Sequence, residues 1–208
     1  MAGIIKTVDA LSTESMKNFN GLARASVKTI NGQDASPPTY AKFDSVNKGT
    51  DIYLSGSDLI AGKGNSVWNF VRGTLGKSSG KPCWEFTFTA GTNLLVGFSV
   101  AGANLNYYLG SDSAGWGMYS SGGNIYHAGS TAYATSFFAG AILTCYMDIG
   151  AGTAGFKING ADYGNAVTGL SGTFYLAASI YAAIDSVTLN PGPSLTYPKT
   201  GYDAGWFS

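Results

Sequence analysis

From Tyr40 to Asn190 the chain alternates short apolar runs with turn residues. WEFTFTA (Trp84–Ala90) steps between aromatic and polar side chains. LLVGFSVAG, AILTCYMDIG, AGFKING, TFYLAASIY and SVTLN follow at short intervals, each bounded by Gly, Asn or Ser. Strict alternation places every second side chain on one face of a strand, and regular short strands with turn punctuation predict an antiparallel β-sandwich. In WEFTF the large side chains Trp84, Phe86 and Phe88 share a face, so Cys83 falls on the other; Cys145 keeps step with Leu143, Met147 and Ile149 and is expected inside. Two thiols on opposite faces make a poor disulfide pair. The predicted core is Trp84, Phe86, Phe88, Phe98, Trp116, Phe156, Ile158 and Leu176.

The first segment has a different pattern. SMKNFNG (Ser15–Gly21) recurs eleven residues later as SVKTING (Ser26–Gly32), and each copy ends in Asn-Gly. Both residues tolerate positive φ, so each copy predicts an extended piece closed by a tight hairpin turn. Two copies are too few for a solenoid. The reading is an arm, residues 1–38, joined at Pro37-Pro38 to a sandwich of residues 39–192 and followed by an irregular tail, residues 193–208. The tail, broken by Pro and Gly, is expected to run over the domain surface or into a neighbour.

Composition narrows the function. Only 12% of the 208 residues are charged and the net charge is zero, while 30 are Gly and 13 Tyr. Residues 1–81 hold ten of the twelve Lys and Arg against six acids, a local excess of +4 that the remainder balances at −4. From Pro82 to Met147 the only charged side chains are Glu85 and Asp112. No basic patch argues for nucleic acid, and no apolar run has the length of a signal peptide or a membrane span. Assembly in a cytoplasm, without membrane insertion, is the expectation.

Catalytic patterns are absent from the sequence. His127 is the only histidine and has no Gly-x-Ser-x-Gly near it. Two cysteines and one histidine do not make a four-ligand zinc site, and neither a calcium loop nor a phosphate-binding Gly-rich motif occurs. A polysaccharide hydrolase would need two carboxylates facing each other across a groove; Glu85, Asp112, Asp148, Asp162 and Asp185 are scattered singly. The expectation is no enzyme activity, no cofactor and no metal.

The order of motifs resembles a known family. SSGKPCWEFTF (Ser78–Phe88), LLVGFSV (Leu94–Val100), YLGSDSAGWGMYSSGGNIYHAG (Tyr108–Gly129), GAILTCYMDIGAGTAGFKINGADYG (Gly140–Gly164), TFYLAAS (Thr173–Ser179) and SVTLNPG (Ser186–Gly192) are similar, in order, to the landmarks of a SPRY domain. The resemblance implies an all-β, two-sheet concanavalin-like sandwich used for binding, with Trp116 and Tyr119 directed to the core and Asp148 capping a turn. The Asn-Gly arm, the sandwich and the Tyr-Pro-x-x-Gly-Tyr tail together resemble structural proteins of tailed bacteriophages. That likeness implies a virion subunit (capsid decoration, head fibre or tail fibre) that is homo-oligomeric in the assembly and touches other virion proteins or host-surface glycan. The competing reading is a free-standing lectin-like or peptide-binding module.

The stretch Gly110–Ala134 is rich in Tyr, Gly, Ser and Asn and nearly free of charge. Tyr gives rigid contact area with a polar tip, and the small polar residues give adaptable hydrogen bonds. Tyr107, Tyr108, Tyr126, His127, Tyr133 and Tyr181 are therefore the candidate ligand residues, with core burial the open alternative for Tyr126 and Tyr133. Phe19, Asn20, Gly21, Ile30, Asn31 and Gly32 are the candidate anchoring residues of the arm.

Overall fold

The computed structural model describes residues 37–208 and, before them, the backbone of four two-residue strands. The chain forms two compact units, Met1–Thr39 and Tyr40–Ser208. In the first, β1 (Asn18–Phe19) pairs with β2 (Leu22–Ala23) and β3 (Thr29–Ile30) with β4 (Gln33–Asp34), both antiparallel. The registers Phe19↔Leu22 and Ile30↔Gln33 leave two residues between partners, the spacing of a tight hairpin. Asn20, Gly21, Asn31 and Gly32 themselves lie outside the described residues, as do the side chains of Phe19 and Ile30.

The second unit is all strand and turn. Its first half holds β5 (Phe43–Lys48), β6 (Ile52–Ser55), β7 (Ile60–Lys63), β8 (Asn69–Gly73), β9 (Pro82–Ala90), β10 (Leu94–Ser99) and β11 (Gly115–Tyr119). Then come β12 (Ile125–Tyr126), β13 (Ser130–Thr131), β14 (Ile142–Asp148), β15 (Thr153–Ile158), β16 (Ala161–Val167), β17 (Tyr175–Ile180), β18 (Ser186–Asn190) and β19 (Asp203–Ala204). One sheet runs β13-β12-β11-β10-β17-β8-β5; the other runs β16-β15-β14-β9-β18-β7-β6, with β19 beside β9. Among the described residues no helix is long and apolar enough to cross a membrane.

Alternation builds the core between these sheets. Trp84 and Phe86 of β9 meet Cys145 and Leu143 of β14 in register, Phe88 meets Val187 of β18, and Leu94, Val96 and Phe98 of β10 answer from the other sheet with Leu176, Ala178 and Ile180 of β17. Seven of the eight predicted core residues are buried. Trp116 is the correction: it is half-buried, stacked on core Phe98 at 5.2 Å and on exposed His127 at 4.3 Å. Beyond β11 the sheet continues only as the two-residue strands β12 and β13, so little covers the indole on that side. The registers Cys145↔Trp84 and Tyr146↔Cys83 put the free thiols on opposite faces. Both are buried, and burial pushes the Cys83 thiol up to about 11.

The tail does more than cross the surface. Glu85, on the outer face of β9, is 1% exposed and accepts the backbone N–H groups of Thr196 at 2.8 Å and Tyr197 at 2.6 Å. A buried carboxylate needs such donors, and charge-assisted bonds of this kind are strong. Held there, the tail returns as β19, parallel to Pro82-Cys83 in the position that β18 leaves after Asn190↔Glu85. It ends with Trp206 fully buried, edge-on to Trp84 at 4.6 Å, its Nε1–H on the Leu75 carbonyl at 2.8 Å. Farther out, Lys199 pairs with Asp162 of β16 and stands over the Tyr146 ring at 4.5 Å.

Two outcomes follow from this arrangement. Trp206→Ala should cost about 3–5 kcal/mol in urea unfolding, as much as Trp84→Ala; a tail lying loosely on the surface would give about 0.5 kcal/mol or less. Asp162 titrates at about 2: burial works to raise it, but the Lys199 ammonium, the Gly164 N–H and the Tyr146 hydroxyl together hold it down. Its folded value lies below the ordinary ~3.9, so its stabilising contribution is complete above about pH 4 and is lost as pH falls through about 2. The stability difference between wild type and Asp162→Asn, measured by denaturant titration at several pH values, should therefore vanish across that window.

Candidate functional site

The five carboxylates between Pro82 and Asn190 are engaged in holding the fold. Asp112 accepts the Ala114 N–H at 2.8 Å, and Asp148 pairs with Lys81 at 2.7 Å while accepting the Ala151 N–H at 3.0 Å. Asp185, buried, accepts the N–H groups of Thr92 at 2.8 Å and Ala182 at 2.7 Å. With Glu85 on the tail and Asp162 on Lys199, each of these five acids closes a turn or ties down a segment.

The aromatic residues behave differently. On the outer face of the seven-stranded sheet, Phe70, Leu95, Ala103, Leu109 and Ala177 form a second apolar cluster. Its cover is the chain between β10 and β11, which comes down close on β11 because Gly115 and Gly117 present no side chain there. A Cβ on Gly117 would meet the Leu109 carbonyl oxygen at 2.8 Å. One on Gly110, whose φ of +87° already favours glycine, would meet the Tyr126 carbonyl oxygen at 2.1 Å. Leu105 and Leu109 close part of the face, and Tyr108 is brought up beside Tyr126.

The cover stops short of a basin. Trp68, Tyr108, Tyr119 and Tyr126 wall a cavity of about 260 Å³ floored by Leu95. Tyr181 tilts against Trp68 at 5.1 Å and Tyr107, 56% exposed, against Tyr108 at 5.7 Å, so both stand at the rim. Four of the six candidate ligand residues, Tyr107, Tyr108, Tyr126 and Tyr181, thus come together. Tyr119 joins them and is a second correction: it lies opposite Leu95 on the outer face, not in the core, and donates to Asn93 Oδ1 at 2.6 Å. Its distance of three positions from Trp116 is the signal for this, since one strand cannot turn both inward. Trp68 belongs here too, in step with the outward Phe70 and Arg72.

The other two candidates lie elsewhere. His127 and Tyr133 line a cleft of about 530 Å³ at the open edge of the sandwich, with Trp116, Ile125, Thr131 and residues 165–170. The His127 Nδ1 is 2.9 Å from the Gly115 carbonyl, which can only accept, so that nitrogen carries the proton and Nε2 is left over. Tyr133 is a structural tyrosine. Its hydroxyl donates to the Gly164 carbonyl at 2.6 Å and accepts the Phe156 N–H at 3.1 Å, bridging the irregular register between β15 and β16. Burial pushes it up to about 12.

With the two sheets and the outer face in view, known proteins give a consistent result. The SPRY domain family model matches residues 81–194. The chain belongs to the SPRY-domain family. Such domains are typically non-catalytic binding modules. The SPRY domain of human HERC1 superposes with a TM-score of 0.65, covering 71% of this chain and 96% of that one at 22% identity, which shows the shared fold. A curated relative, the probable ATP-dependent RNA helicase ddx1 of Dictyostelium discoideum, is 27% identical over 138 residues, 65% of this chain. The match spans only 18% of that helicase. The basin walls Tyr108, Tyr119 and Tyr126 fall inside the matched segment, and Trp68 lies before it.

Truncation separates the structural tyrosine from the rim. Tyr133→Phe leaves the Phe156 N–H without its partner and should cost about 1–3 kcal/mol in urea unfolding. Tyr107→Ala should stay within about 0.5 kcal/mol of wild type.

Proposed function

We propose that this chain is a non-enzymatic binding protein whose ligand face is the aromatic basin on the outer side of the seven-stranded sheet. One observation carries the reading. Glu85, Asp112, Asp148, Asp162 and Asp185 are all engaged within the fold, whereas Tyr107, Tyr108, Tyr126 and Tyr181 gather at one opening with no hydrogen bond from their hydroxyls to another described residue. Rigid rings with free polar tips suit recognition and offer nothing to acid–base chemistry.

The arm supports a finer reading. Met1–Thr39 is a compact unit of its own with two similar hairpins, and its apolar positions (Ile4, Ile5, Val8, Leu11, Met16, Phe19, Leu22, Val27, Ile30) are too few to make a core alone. Burying them against another chain at ~25 cal/mol per Å² would supply association energy, less the cost of ordering the arm. The protein is then a subunit of a larger assembly, anchored by the arm and displaying the sandwich to neighbouring subunits or surface glycan. Together with the Tyr197–Tyr202 tail pattern, this arm is the support for a tailed-phage virion as that assembly. A free-standing adaptor would use the same basin without the anchor.

Two variants test the parts separately. Deleting residues 1–36 should leave the melting temperature of the remainder nearly unchanged and abolish self-association and incorporation; unfolding of the truncated domain would refute the anchoring role. The double variant Tyr107→Ala/Tyr181→Ala should assemble normally but lose the ligands that wild type retains on glycan and peptide arrays. Retention of every ligand would move the binding face elsewhere.

A further inference from the structure

The four rings of the basin close on one another. Going round, the centroids are 6.1 Å apart from Trp68 to Tyr108, 5.8 Å from Tyr108 to Tyr126, 5.8 Å from Tyr126 to Tyr119 and 6.0 Å from Tyr119 back to Trp68. The planes of neighbours meet at 66°, 85°, 88° and 69°. Equal sides and near-perpendicular neighbours fit four walls, and these four rings line one cavity together with Leu95. A square with these sides has its centre about 4 Å from each ring centroid, inside the ~6 Å over which an aromatic face attracts a cation.

A stack of sugar rings needs a flat, open aromatic platform, and walls set at right angles do not provide one. An ordinary ammonium would lose its hydration in such a box without gaining acceptors. A quaternary ammonium has no N–H to satisfy, spreads its charge over methyl groups, and is the cation that aromatic cages recognise. The cage is also free of an internal cation: the lysine and arginine contacts with rings among the described residues fall on Tyr175, Phe207, Tyr202 and Tyr146. From Pro82 to Met147, which supplies three of the walls and the floor, the chain has no Lys or Arg.

We propose that Trp68, Tyr108, Tyr119 and Tyr126 form a cage for a quaternary ammonium group, of the kind carried by choline or by Nε-trimethyl-lysine. The assignment rests on the basin being the ligand face and names the chemistry it takes. Leu95 receives the methyl groups at the bottom of the cage, and Tyr107 and Tyr181 at the rim contact whatever carries the cation.

The experiment titrates the full chain with choline chloride, Nε-trimethyl-lysine, lysine and 3,3-dimethyl-1-butanol, the neutral isostere of choline, following the Trp68 indole N–H and the Leu95 methyl groups by NMR. Choline or trimethyl-lysine should bind at least about tenfold more tightly than the isostere and than lysine. Preference for choline would indicate a small head group, and preference for trimethyl-lysine a protein side chain. Trp68→Leu should abolish the shifts, with a melting curve confirming that the variant folds. Equal binding of the isostere would make the cage a merely apolar cavity, and equal binding of lysine would remove the quaternary requirement. Either result, or no saturable binding of any cation, overturns the proposal. None of these touches the broader reading, which falls only if the rim variant keeps its array ligands.

Discussion

Two sheets with so few charges must cover their own outer faces, and the structure depends on how they do it. A sandwich buries one face of each sheet against the other; the remaining faces need either charged side chains or another layer of chain. Here charge is scarce, so the second solution prevails. The tail covers the eight-stranded sheet, and the chain between β10 and β11 covers the seven-stranded one. Each cover is held by a local device. Glu85 grips the tail through two backbone N–H groups, and Gly110 and Gly117 let the second cover lie flat.

The candidate site is a by-product of that solution with its own logic. Where the tail covers its sheet it leaves Cys83, Glu85 and Tyr146 essentially without solvent. The cover of the other sheet ends at Tyr108, so Trp68, Tyr119 and Tyr126 remain half-buried around an opening. Rings that would otherwise pack under a layer of chain instead stand as walls. Their mutual edge-to-face contacts fix the opening before any ligand arrives, which reduces the ordering cost of binding. The same scarcity of charge that forces the sheets to be covered leaves this opening lined by aromatic rings and Leu95, with no charged side chain.

The fold was legible because alternation is local. Each of Trp84, Phe86 and Phe88 declares its face through its neighbours two positions away, and so do Cys83 and Cys145. The tail was not legible for the opposite reason. Nothing near Trp206 marks it as core; its burial depends on Glu85, which meets Tyr197 across 112 positions of chain. The site was legible in part. Aromatic enrichment pointed to Tyr107, Tyr108, Tyr126 and Tyr181, but it could not separate them from Tyr133, whose hydroxyl is spent on a strand irregularity. Trp68 was hidden by distance from the Tyr-rich stretch, and Tyr119 by a family likeness that its odd spacing from Trp116 contradicts.

Hydroxyl-radical footprinting of the full chain tests the account most directly, because it reads every cover and the opening at once. Trp68, Tyr107, Tyr126 and Tyr181 should be oxidised much faster than Trp84, Trp206, Tyr146 and Phe70. Oxidation of Trp206 or Phe70 at the rate of Trp68 would mean that the covers are open, and protection of Trp68 equal to that of Trp84 would mean that the basin is closed; either result contradicts it.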